Sequence, residues 1–297
     1  MNILGINGGF RQGYQDVSAV LVRGGEVIAA VEEERLSRVK HSAGRLPYLS
    51  VLEVLRIGGL SINDIDAVAF HGSTWGSEID QKVRDYFLHH FGYAPPLQKY
   101  HHHNCHATSA YYASGYNSAL ILTIDGSGDG VSLQVTTGQN GNINELARMN
   151  RPNSLGIFYS LFTQYCGFVK DCDEYKLMGL ASYGNRHAFD FGWLVDFKDG
   201  QLWLNKRYVN CVPPKAPALH RDEMNFSKAF LQRMGSPRRL PTSTISEYYK
   251  DVAASGIKPF RRGSAEHAAP LCRPHGSKET LLGRWCGTQL CTQPAYN

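Results

Sequence analysis

A three-strand unit with glycine-rich turns occurs twice in this chain. The first copy, in residues 2–31, contains the strand-like runs NILGIN, VSAVLV and VIAAV, separated by two Gly-Gly pairs. The second copy, in residues 119–148, reads ALILTID, GSGDG, VSLQVTT, GQNGN and INELARM. Short apolar runs bounded by glycine turns are typical of strands and hairpins. Because the two copies have the same internal order, they predict a duplicated α/β fold.

Helical patterns surround these two copies. Helices are predicted at 47–57, 78–91, 154–168 and 245–255, with a further strand at 66–70 and a hairpin at 192–210. In the first helix Leu49, Leu52 and Leu55 are expected to face inward. The helix at 154–168 is apolar and aromatic at helical spacing, which favours core packing over a cofactor site.

Histidines and an aspartate lie at the start of the second copy. If residues 99–113 are helical, His102 and His106 share one face, one turn apart. The apolar run at 119–124 is typical of a buried strand, and Asp125 leaves it at the carboxyl end, where open α/β sheets bind ligands. Two imidazoles and one carboxylate that converge in this way suit a divalent metal such as iron(II) or zinc.

A simpler interpretation of the same residues stays open. The histidines can form a solvated patch at the start of a helix, and Asp125 can be a turn or cap residue. The metal interpretation is favoured because strand, aspartate and Gly-x-Gly follow the histidine pair directly.

Several glycines and cations are candidates for binding phosphate. In the loop after Asp125, the backbone N–H groups near Gly126 and Gly128 can cradle phosphate oxygens, although such loops are more often plain turns. Lys176 stands close to Gly179 in the stretch 171–184, which combines a cation with close-approach glycines.

A compact cationic cluster follows the third strand of the first copy. It contains Arg38, Lys40 and His41. A solvated surface is the default explanation for such a cluster. The functional alternative is a site for phosphate or carboxylate.

Charge, hydropathy and cysteine content exclude several classes of protein. The formal charge is +5, but residues 256–297 hold six Lys/Arg and two Asp/Glu, so the first 255 residues are almost neutral, and no nucleic-acid partner is expected. No apolar run is long enough to span a membrane, and MNILGING is typical of a strand rather than a signal peptide. Seven cysteines without a C-x-x-C pair predict a cytoplasmic protein.

Seven stretches of this chain resemble one known family. They read LGINGG, QDVSAVLVRGGEVIAAVEEERLSRVKH, HHNCHATSAYY, LTIDGSGDG, SLGIFYSLFTQYCGF, EYKLMGLASYG and ISEYYKDVAAS. Together they resemble the amino-terminal, Kae1-like domain of the NodU/CmcH carbamoyltransferases over residues 1–255. The resemblance implies a duplicated RNase H-like domain of the actin-like ATPase (ASKHA) type, incomplete at its carboxyl end. The glycine-rich beginning resembles the nodulation members of the family, which modify chitin-oligosaccharide signals.

The resemblance implies an ATP-dependent O-carbamoyltransferase. In this family carbamoyl phosphate and ATP form carbamoyladenylate on a YrdC-like carboxy-terminal domain, and the Kae1-like domain passes the carbamoyl group to a hydroxyl. The family's H-x-x-x-H metal motif falls on His102 and His106, and its strand-end aspartate on Asp125. The metal is usually iron and neutralises the adenylate phosphate. The acceptor is expected to be a hydroxyl of a nodulation lipochitooligosaccharide.

The resemblance also assigns roles to other residues. Asp16 is expected to orient or deprotonate the acceptor hydroxyl. Most relatives have a histidine at the preceding position, where this chain has Gln15. Cofactor-binding roles, toward the nucleotide or the carbamoyl phosphate, fall on Arg38, Lys40, Gly126, Gly128, Lys176 and Gly179.

The likeness ends at residue 255. If ETLLGRWCGTQLC, at 279–291, is back-translated with suitable codons and read one base later, it gives KLCLAGGVALNC, which resembles the family's glycine-rich nucleotide motif. We therefore expect residues 256–297 to be a frame-shifted, disordered or loosely packed tail. The missing carboxy-terminal domain is then expected on a separate partner chain, and this chain alone is expected to be inactive.

Two other functions stay open at this point. One is a non-catalytic metal- or nucleotide-binding fragment. The other is an ASKHA sugar kinase or phosphatase, which transfers phosphate rather than carbamate.

Overall fold

The computed structural model describes residues 1–10, 16–151, 153–198, 201–212, 223–258 and 280–283. The chain divides into two compact units, Met1–Cys105 and His106–Asn297. The division falls within one helix, His102–Ser114 (α4), so residues on both sides of it belong to a single continuous element.

The first unit is built on a five-stranded sheet with order β3-β2-β1-β4-β5. Its strands are β1 (Asn2–Asn7), β2 (Ser18–Arg23), β3 (Glu26–Glu32), β4 (Ala67–His71) and β5 (Leu97–Tyr100). The first three strands are antiparallel neighbours, whereas β4 and β5 run parallel to β1 and to each other. The three strands predicted from the first copy, and the strand predicted at 66–70, are therefore confirmed within one or two residues.

Among the described residues, three α-helices lie wholly within the first unit. They are α1 (Glu33–Ser37), α2 (Tyr48–Gly58) and α3 (Gly76–Phe91). Helix α2 buries Val51, Val54 and Leu55, and all three belong to a core that also contains Leu4 and Phe70. The expected inward position of Leu52 was wrong, because the buried stripe is rotated and leaves that side chain 41% exposed.

The second unit contains a four-stranded sheet with the same pattern. Its strands are β6 (Ser118–Gly128), β7 (Val131–Gln139), β8 (Asn142–Asn150) and, near the end of the chain, β13 (Thr280–Gly283). Strands β6, β7 and β8 are antiparallel neighbours, and β13 runs parallel to β6 on its other side. This sequence of directions repeats that of β1, β2, β3 and β4, so the predicted duplicated α/β architecture is confirmed.

Helices and short hairpins complete the second unit. The helices are α5 (Leu155–Tyr165), α6 (Glu174–Ala181), α7 (Lys228–Met234) and α8 (Glu247–Gly256), and the strands are β9 (Val195–Lys198), β10 (Gln201–Leu204), β11 (Val209–Val212) and β12 (Glu223–Phe226). Helix α5 is buried over nearly its whole length, which confirms core packing. The predicted hairpin is the antiparallel pair β9–β10, and its turn lies outside the described residues.

The boundary predicted at residue 255 stays a prediction. Most of the expected tail, at 259–279 and 284–297, lies outside the described residues, as does Gln15. The described parts of the tail are residues 256–258, at the end of α8, and β13, whose backbone pairs with β6. Among the described residues, no helix is long and apolar enough to cross a membrane.

The helix predicted at 99–113 begins later than expected. Residues Leu97–Tyr100 form β5, and α4 starts only at His102. Lys99 pairs as a strand residue with Phe70 and forms an ion pair with Asp80 at 2.6 Å. The histidine pair still lies on the helix, with His102 at its first residue and His106 one turn later.

Burial of Cys166 predicts an unreactive thiol. Removal from water raises the pKa of the Cys166 thiol to about 12, although the Arg239 guanidinium opposes the shift. Because the thiolate is the nucleophile, we expect iodoacetamide at mildly alkaline pH to alkylate the partly exposed Cys105 and Cys172 but not Cys166. Peptide mass spectrometry checks this, with urea-unfolded protein as the control. Equal labelling of Cys166 in the folded chain would contradict the burial.

Burial of Glu174 predicts a pH-dependent stability. Loss of hydration raises the pKa of the Glu174 carboxyl, against hydrogen bonds from the Asp171 backbone and the Ser160 hydroxyl. A carboxyl whose pKa is raised by folding favours the folded state below its unfolded pKa, and that stability is lost as the pH rises through the folded pKa.

We therefore expect Glu174→Gln to be more stable than the wild type at neutral pH, because the amide oxygen of glutamine would accept the same hydrogen bonds without a charge. The free energy of unfolding of this variant should also fall less between acidic and neutral pH. Urea titrations at several pH values measure both effects, with the exposed Glu247→Gln as control. If the free energy of unfolding depends on pH in the same way for Glu174→Gln and the wild type, this prediction is wrong.

Candidate metal centre

Polar side chains gather at the carboxyl edge of the first sheet. Strands β1, β4 and β5 are parallel, so their carboxyl ends meet at the same edge. Asn7 ends β1, His71 ends β4, and His102 follows β5 by two residues. The chain order alone therefore brings an amide and two imidazoles to one edge of the sheet.

Helix α4 orients the histidine pair. Its buried stripe consists of His103, Ala107, Ala110 and Tyr111, and the last three pack with β6 residues Ala119 and Ile121. His102 and His106 each precede a residue of this stripe by one position. They are therefore only partly buried, on the flank of the helix beside β6.

Asp125 lies in an irregular part of β6. Regular pairing with β7 ends at Ile124 and resumes at Gly128, so Asp125 occupies a bulge inside the strand rather than a loop beyond it. The predicted place, directly after the buried apolar run, is nonetheless correct. Bulges re-aim side chains out of the regular alternation of a strand, and they are frequent next to active sites.

Hydrogen bonds hold this bulge in place. The Gly126 N–H donates to Asp125 Oδ1 at 2.6 Å. The buried Ser154 hydroxyl lies 3.0 Å from the carbonyl oxygen of Asp125 and 2.9 Å from that of Gly126. The same hydroxyl accepts the Ile157 N–H at the start of α5. Ser154 therefore caps α5 and fixes the backbone that carries Asp125.

The structure brings His102, His106 and Asp125 together. One ligand atom from each side chain lies within 4.8 Å of the other two, and His106 Nε2 is 3.8 Å from Asp125 Oδ2. The Asp125 side chain is 15% exposed and that of His106 is 34% exposed, so the group is accessible from outside. Two imidazole nitrogens and one carboxylate oxygen in this arrangement fit a divalent iron or zinc ion.

Neighbouring rings position His102. The His71 ring packs edge-on against the His102 ring, with 5.5 Å between their centroids. His71 Nε2 lies 2.8 Å from Asn7 Oδ1, and Asn7 Nδ2 donates to the carbonyl oxygen of Asp16 at 2.9 Å. Because the Asn7 amide donates to Asp16, its oxygen accepts from His71. This chain of contacts fixes the His71 ring that supports His102.

Asp16 is bound to His41. Its Oδ1 lies 2.9 Å from His41 Nδ1, and its backbone N–H donates to the His41 carbonyl oxygen. Arg38 and Lys40, the other members of the predicted cationic cluster, are exposed at the carboxyl end of α1 and in the turn that follows. His41 therefore engages a carboxylate within its own unit.

The remaining phosphate-binding candidates lie on other elements. Gly126 and Gly128 belong to the β6 bulge region. Lys176 and Gly179 lie on α6, where the Lys176 ammonium pairs with Asp173 at 2.7 Å. This ion pair raises the pKa of Lys176, and its hydrogen bond is the largest cause.

Lys176 also lines a cavity. The cavity is open to solvent, has a volume of about 440 Å³, and contains three further cationic residues, namely Lys170, Arg238 and Arg239. Arg239 is itself buried, and its Nε donates to the Cys166 carbonyl oxygen at 2.6 Å.

Comparison with known proteins points to one family. Residues 90–212, which include the three candidate ligands, match the family model described as the carbamoyltransferase N-terminus. In this region the chain is similar to the amino-terminal part of carbamoyltransferases. It is 36% identical to the nodulation protein NolNO of Sinorhizobium fredii over 217 residues, which cover 64% of this chain and 32% of that protein. It is also 32% identical to an uncharacterized protein of Synechocystis, with 82% of this chain and 44% of that protein covered.

The chain spans less than half the length of these relatives. Among solved structures, it is similar to full-length HypF in the phosphate- and nucleotide-bound form, with a TM-score of 0.46 and 9% identity over 95% of this chain and 48% of that chain. A likeness of this size carries no information on activity.

Sequence patterns missed three residues of this site. Asn7 and His71 could have been found. Asn7 ends a predicted strand and His71 directly follows the strand predicted at 66–70, and strand ends at one sheet edge gather polar groups. Ser154 had a weaker signal, as a serine directly before an apolar helix, which is typical of a cap. Its contact with Asp125 spans 29 residues and has no local signature.

Proposed function

We propose that this chain is the N-terminal part of a carbamoyltransferase that passes a carbamoyl group from a phosphate-linked donor to a hydroxyl. The observation that carries the proposal is the group His102, His106 and Asp125, gathered on α4 and β6 within the region that matches the family model. A metal-ligand set in a family of transferases favours a role at the reacting groups.

The three side chains would hold a divalent ion, iron or else zinc. When bound, the ion would stabilise the negative charge on the donor's phosphate, which leaves when the carbamoyl group is transferred. Ser154 holds the Asp125 backbone, the Gly126 N–H holds the Asp125 carboxylate, and His71 supports His102. Rigid supports of this kind hold the ligands in position during the reaction.

Other residues would bind and orient the two substrates. Asp16, in the segment after β1, would orient the acceptor hydroxyl. Arg38 and Lys40, which are exposed, and Lys176 and Gly179 on α6 would contact the nucleotide or the carbamoyl phosphate. Backbone N–H groups near Gly126 and Gly128 would add contacts to phosphate oxygens.

The donor would be carbamoyladenylate, made from carbamoyl phosphate and ATP. Since the chain spans less than half of its relatives, the adenylate would be made by a further domain, in the same protein or on a separate chain. The acceptor would be a hydroxyl of a nodulation oligosaccharide. The support for this acceptor is that two relatives are named nodulation proteins. They are NolNO and NolO of Bradyrhizobium diazoefficiens, and the chain is 43% identical to the latter over 86 residues.

Two assays test this function. In the first, the chain receives carbamoyl phosphate, ATP and a chitin oligomer. In the second, it receives preformed carbamoyladenylate and the oligomer, so that no adenylate-forming domain is needed. Carbamoylated sugar in the second assay is the expected product, and it should disappear in the metal-free protein. Phosphorylated sugar in the first assay would indicate a sugar kinase instead. No product in either assay, from metal-loaded chain, would indicate a non-catalytic fragment.

A further inference from the structure

We propose that His41 is the general base that takes the proton from the acceptor hydroxyl, and that Asp16 positions the His41 ring. This inference rests on the proposed carbamoyl transfer. It moves the base role away from Asp16, because an imidazole is the side chain that most often serves as a general base.

Two contacts join the residues. His41 Nδ1 lies 2.9 Å from Asp16 Oδ1, and the Asp16 N–H donates to the His41 carbonyl oxygen, also at 2.9 Å. They are 25 positions apart in the chain. A pair held through both its side chains and its backbone has a fixed relative orientation, which an incidental surface ion pair lacks.

The direction of the hydrogen bond defines the reactive nitrogen. Since the Asp16 carboxylate accepts, His41 Nδ1 carries the hydrogen in the neutral ring, and Nε2 carries the lone pair. Within the described part of the chain, the structure gives Nε2 no hydrogen-bond partner, and the His41 side chain is 27% exposed. The same arrangement of carboxylate, Nδ1–H and basic Nε2 activates hydroxyl nucleophiles in the serine hydrolases.

The backbone at both residues is strained. Asp16 has a φ of 58°, His41 of 59° and Ser42 of 42°, all in the left-handed region that residues other than glycine rarely adopt. Such conformations cost free energy and persist where the surroundings enforce them, which is frequent at functional sites.

Several contacts enforce this conformation. The Glu34 carboxylate accepts the His41 N–H at 2.6 Å. Ser42 is fully buried, and its hydroxyl donates to the Val39 carbonyl oxygen or bonds to the Ser37 hydroxyl. The turn that carries His41 is therefore anchored from both sides.

The same turn is docked onto the first glycine pair. The Gly9 N–H donates to the Arg45 carbonyl oxygen at 2.8 Å. A Cβ at Gly9 would lie 2.7 Å from that oxygen, so no other residue fits there without displacing the turn. The glycine pair after β1 thus has a defined task, which is to let the turn with His41 approach the carboxyl end of β1.

A continuous series of contacts links the pair to the candidate metal ligands. Asn7 donates to the Asp16 carbonyl oxygen and accepts from His71, whose ring packs on His102. Acceptor deprotonation and the phosphate-binding metal would therefore share one edge of the sheet, as the transfer requires.

In the proposed step, the acceptor oxygen attacks the carbonyl carbon of carbamoyladenylate while its proton moves to His41 Nε2. A new carbon–oxygen bond forms, the bond from that carbon to the phosphate oxygen breaks, and adenylate leaves with the bonding electrons. The Asp16 carboxylate stabilises the resulting imidazolium.

The test uses His41→Asn, because asparagine tolerates a positive φ and has no basic nitrogen. The rate of carbamoyl transfer from supplied carbamoyladenylate is measured against pH for the wild type, His41→Asn and Asp16→Asn. His89→Asn, on the exposed end of α3, is the matched control. Among the described residues, the charged groups in contact with His41 are Asp16 and Glu34. Arg38 and Lys40 lie on the same segment as His41. The His41 variant keeps all four residues.

We expect His41→Asn to lower kcat by about 100-fold to 10,000-fold and to remove the acidic limb of the kcat–pH profile, with metal content and the KM for the donor unchanged. Added imidazole should restore part of the rate. Asp16→Asn should retain more activity than His41→Asn, because His41 keeps its basic nitrogen.

Three results would overturn the proposal. The first is a His41→Asn rate within a few-fold of the wild type. The second is a raised KM for the donor with unchanged kcat, which would make His41 an anion-binding cation. The third is no transfer by the wild type itself, and this result, unlike the first two, means that the proposed function has failed.

Discussion

His106→Ala is expected to weaken metal binding by more than about 100-fold, since loss even of a group that only supports a ligand costs 10- to 100-fold. His106 Nε2 lies 3.8 Å from Asp125 Oδ2, and both side chains are partly shielded from water. Without this imidazole, one nitrogen and one carboxylate remain on α4 and β6, and water replaces the lost ligand. Isothermal titration with zinc, or with iron(II) under anaerobic conditions, measures the affinity.

The matched control is His89→Ala, which removes an exposed imidazole from α3. Its affinity for the metal should equal that of the wild type, and both variants should have the same circular dichroism spectrum. If His106→Ala binds the metal as tightly as His89→Ala, the three residues are a solvated patch and the simpler interpretation of the histidines is correct.

Phe162→Ala is expected to destabilise the chain by about 3–5 kcal/mol. Its ring has no exposed surface and lies at the centre of the second unit's aromatic core, with ring centroids of Phe158, Phe191 and Phe226 at 5.1, 4.8 and 5.2 Å. Alanine leaves a cavity that these rings fill only in part, and it removes edge-to-face contacts. Urea unfolding followed by tryptophan fluorescence measures the loss.

Tyr183→Ala is the control, because it truncates an aromatic side chain that is 75% exposed in the same unit. It should change the free energy of unfolding by less than about 0.5 kcal/mol. A Phe162→Ala variant as stable as Tyr183→Ala would mean that α5 is not the centre of this core.

The sequence predicted the sheets well because their signals are local. Each copy has short apolar runs between glycine turns, and the structure turns both into three antiparallel strands. The parallel neighbours were harder to predict. Strand β5 is only four residues long and carries Lys99, so it lacks an apolar run and was assigned to the following helix.

The three candidate metal ligands were also predictable. His102 and His106 are a turn apart on one helix, and Asp125 follows a long buried run. What the sequence could not show is the bulge that aims Asp125, because it depends on the Ser154 hydroxyl 29 residues away.

The contact between Asp16 and His41 was beyond sequence reasoning. It depends on left-handed backbone at three residues other than glycine and on the close approach of Arg45 to Gly9. Neither feature has a residue pattern of its own, so His41 appeared from sequence only as a member of a cationic cluster. The prediction that Leu52 faces inward failed for a related reason. Packing, and not spacing, decides which side of α2 is buried.

The most direct test of the account is an anomalous diffraction map from crystals of the chain grown with iron(II) or zinc, recorded at the absorption edge of that metal. The account predicts one strong peak at about 2.0–2.2 Å from a nitrogen of His102, a nitrogen of His106 and an oxygen of Asp125. A strong peak elsewhere, with these three side chains directed away from any ion, would contradict it.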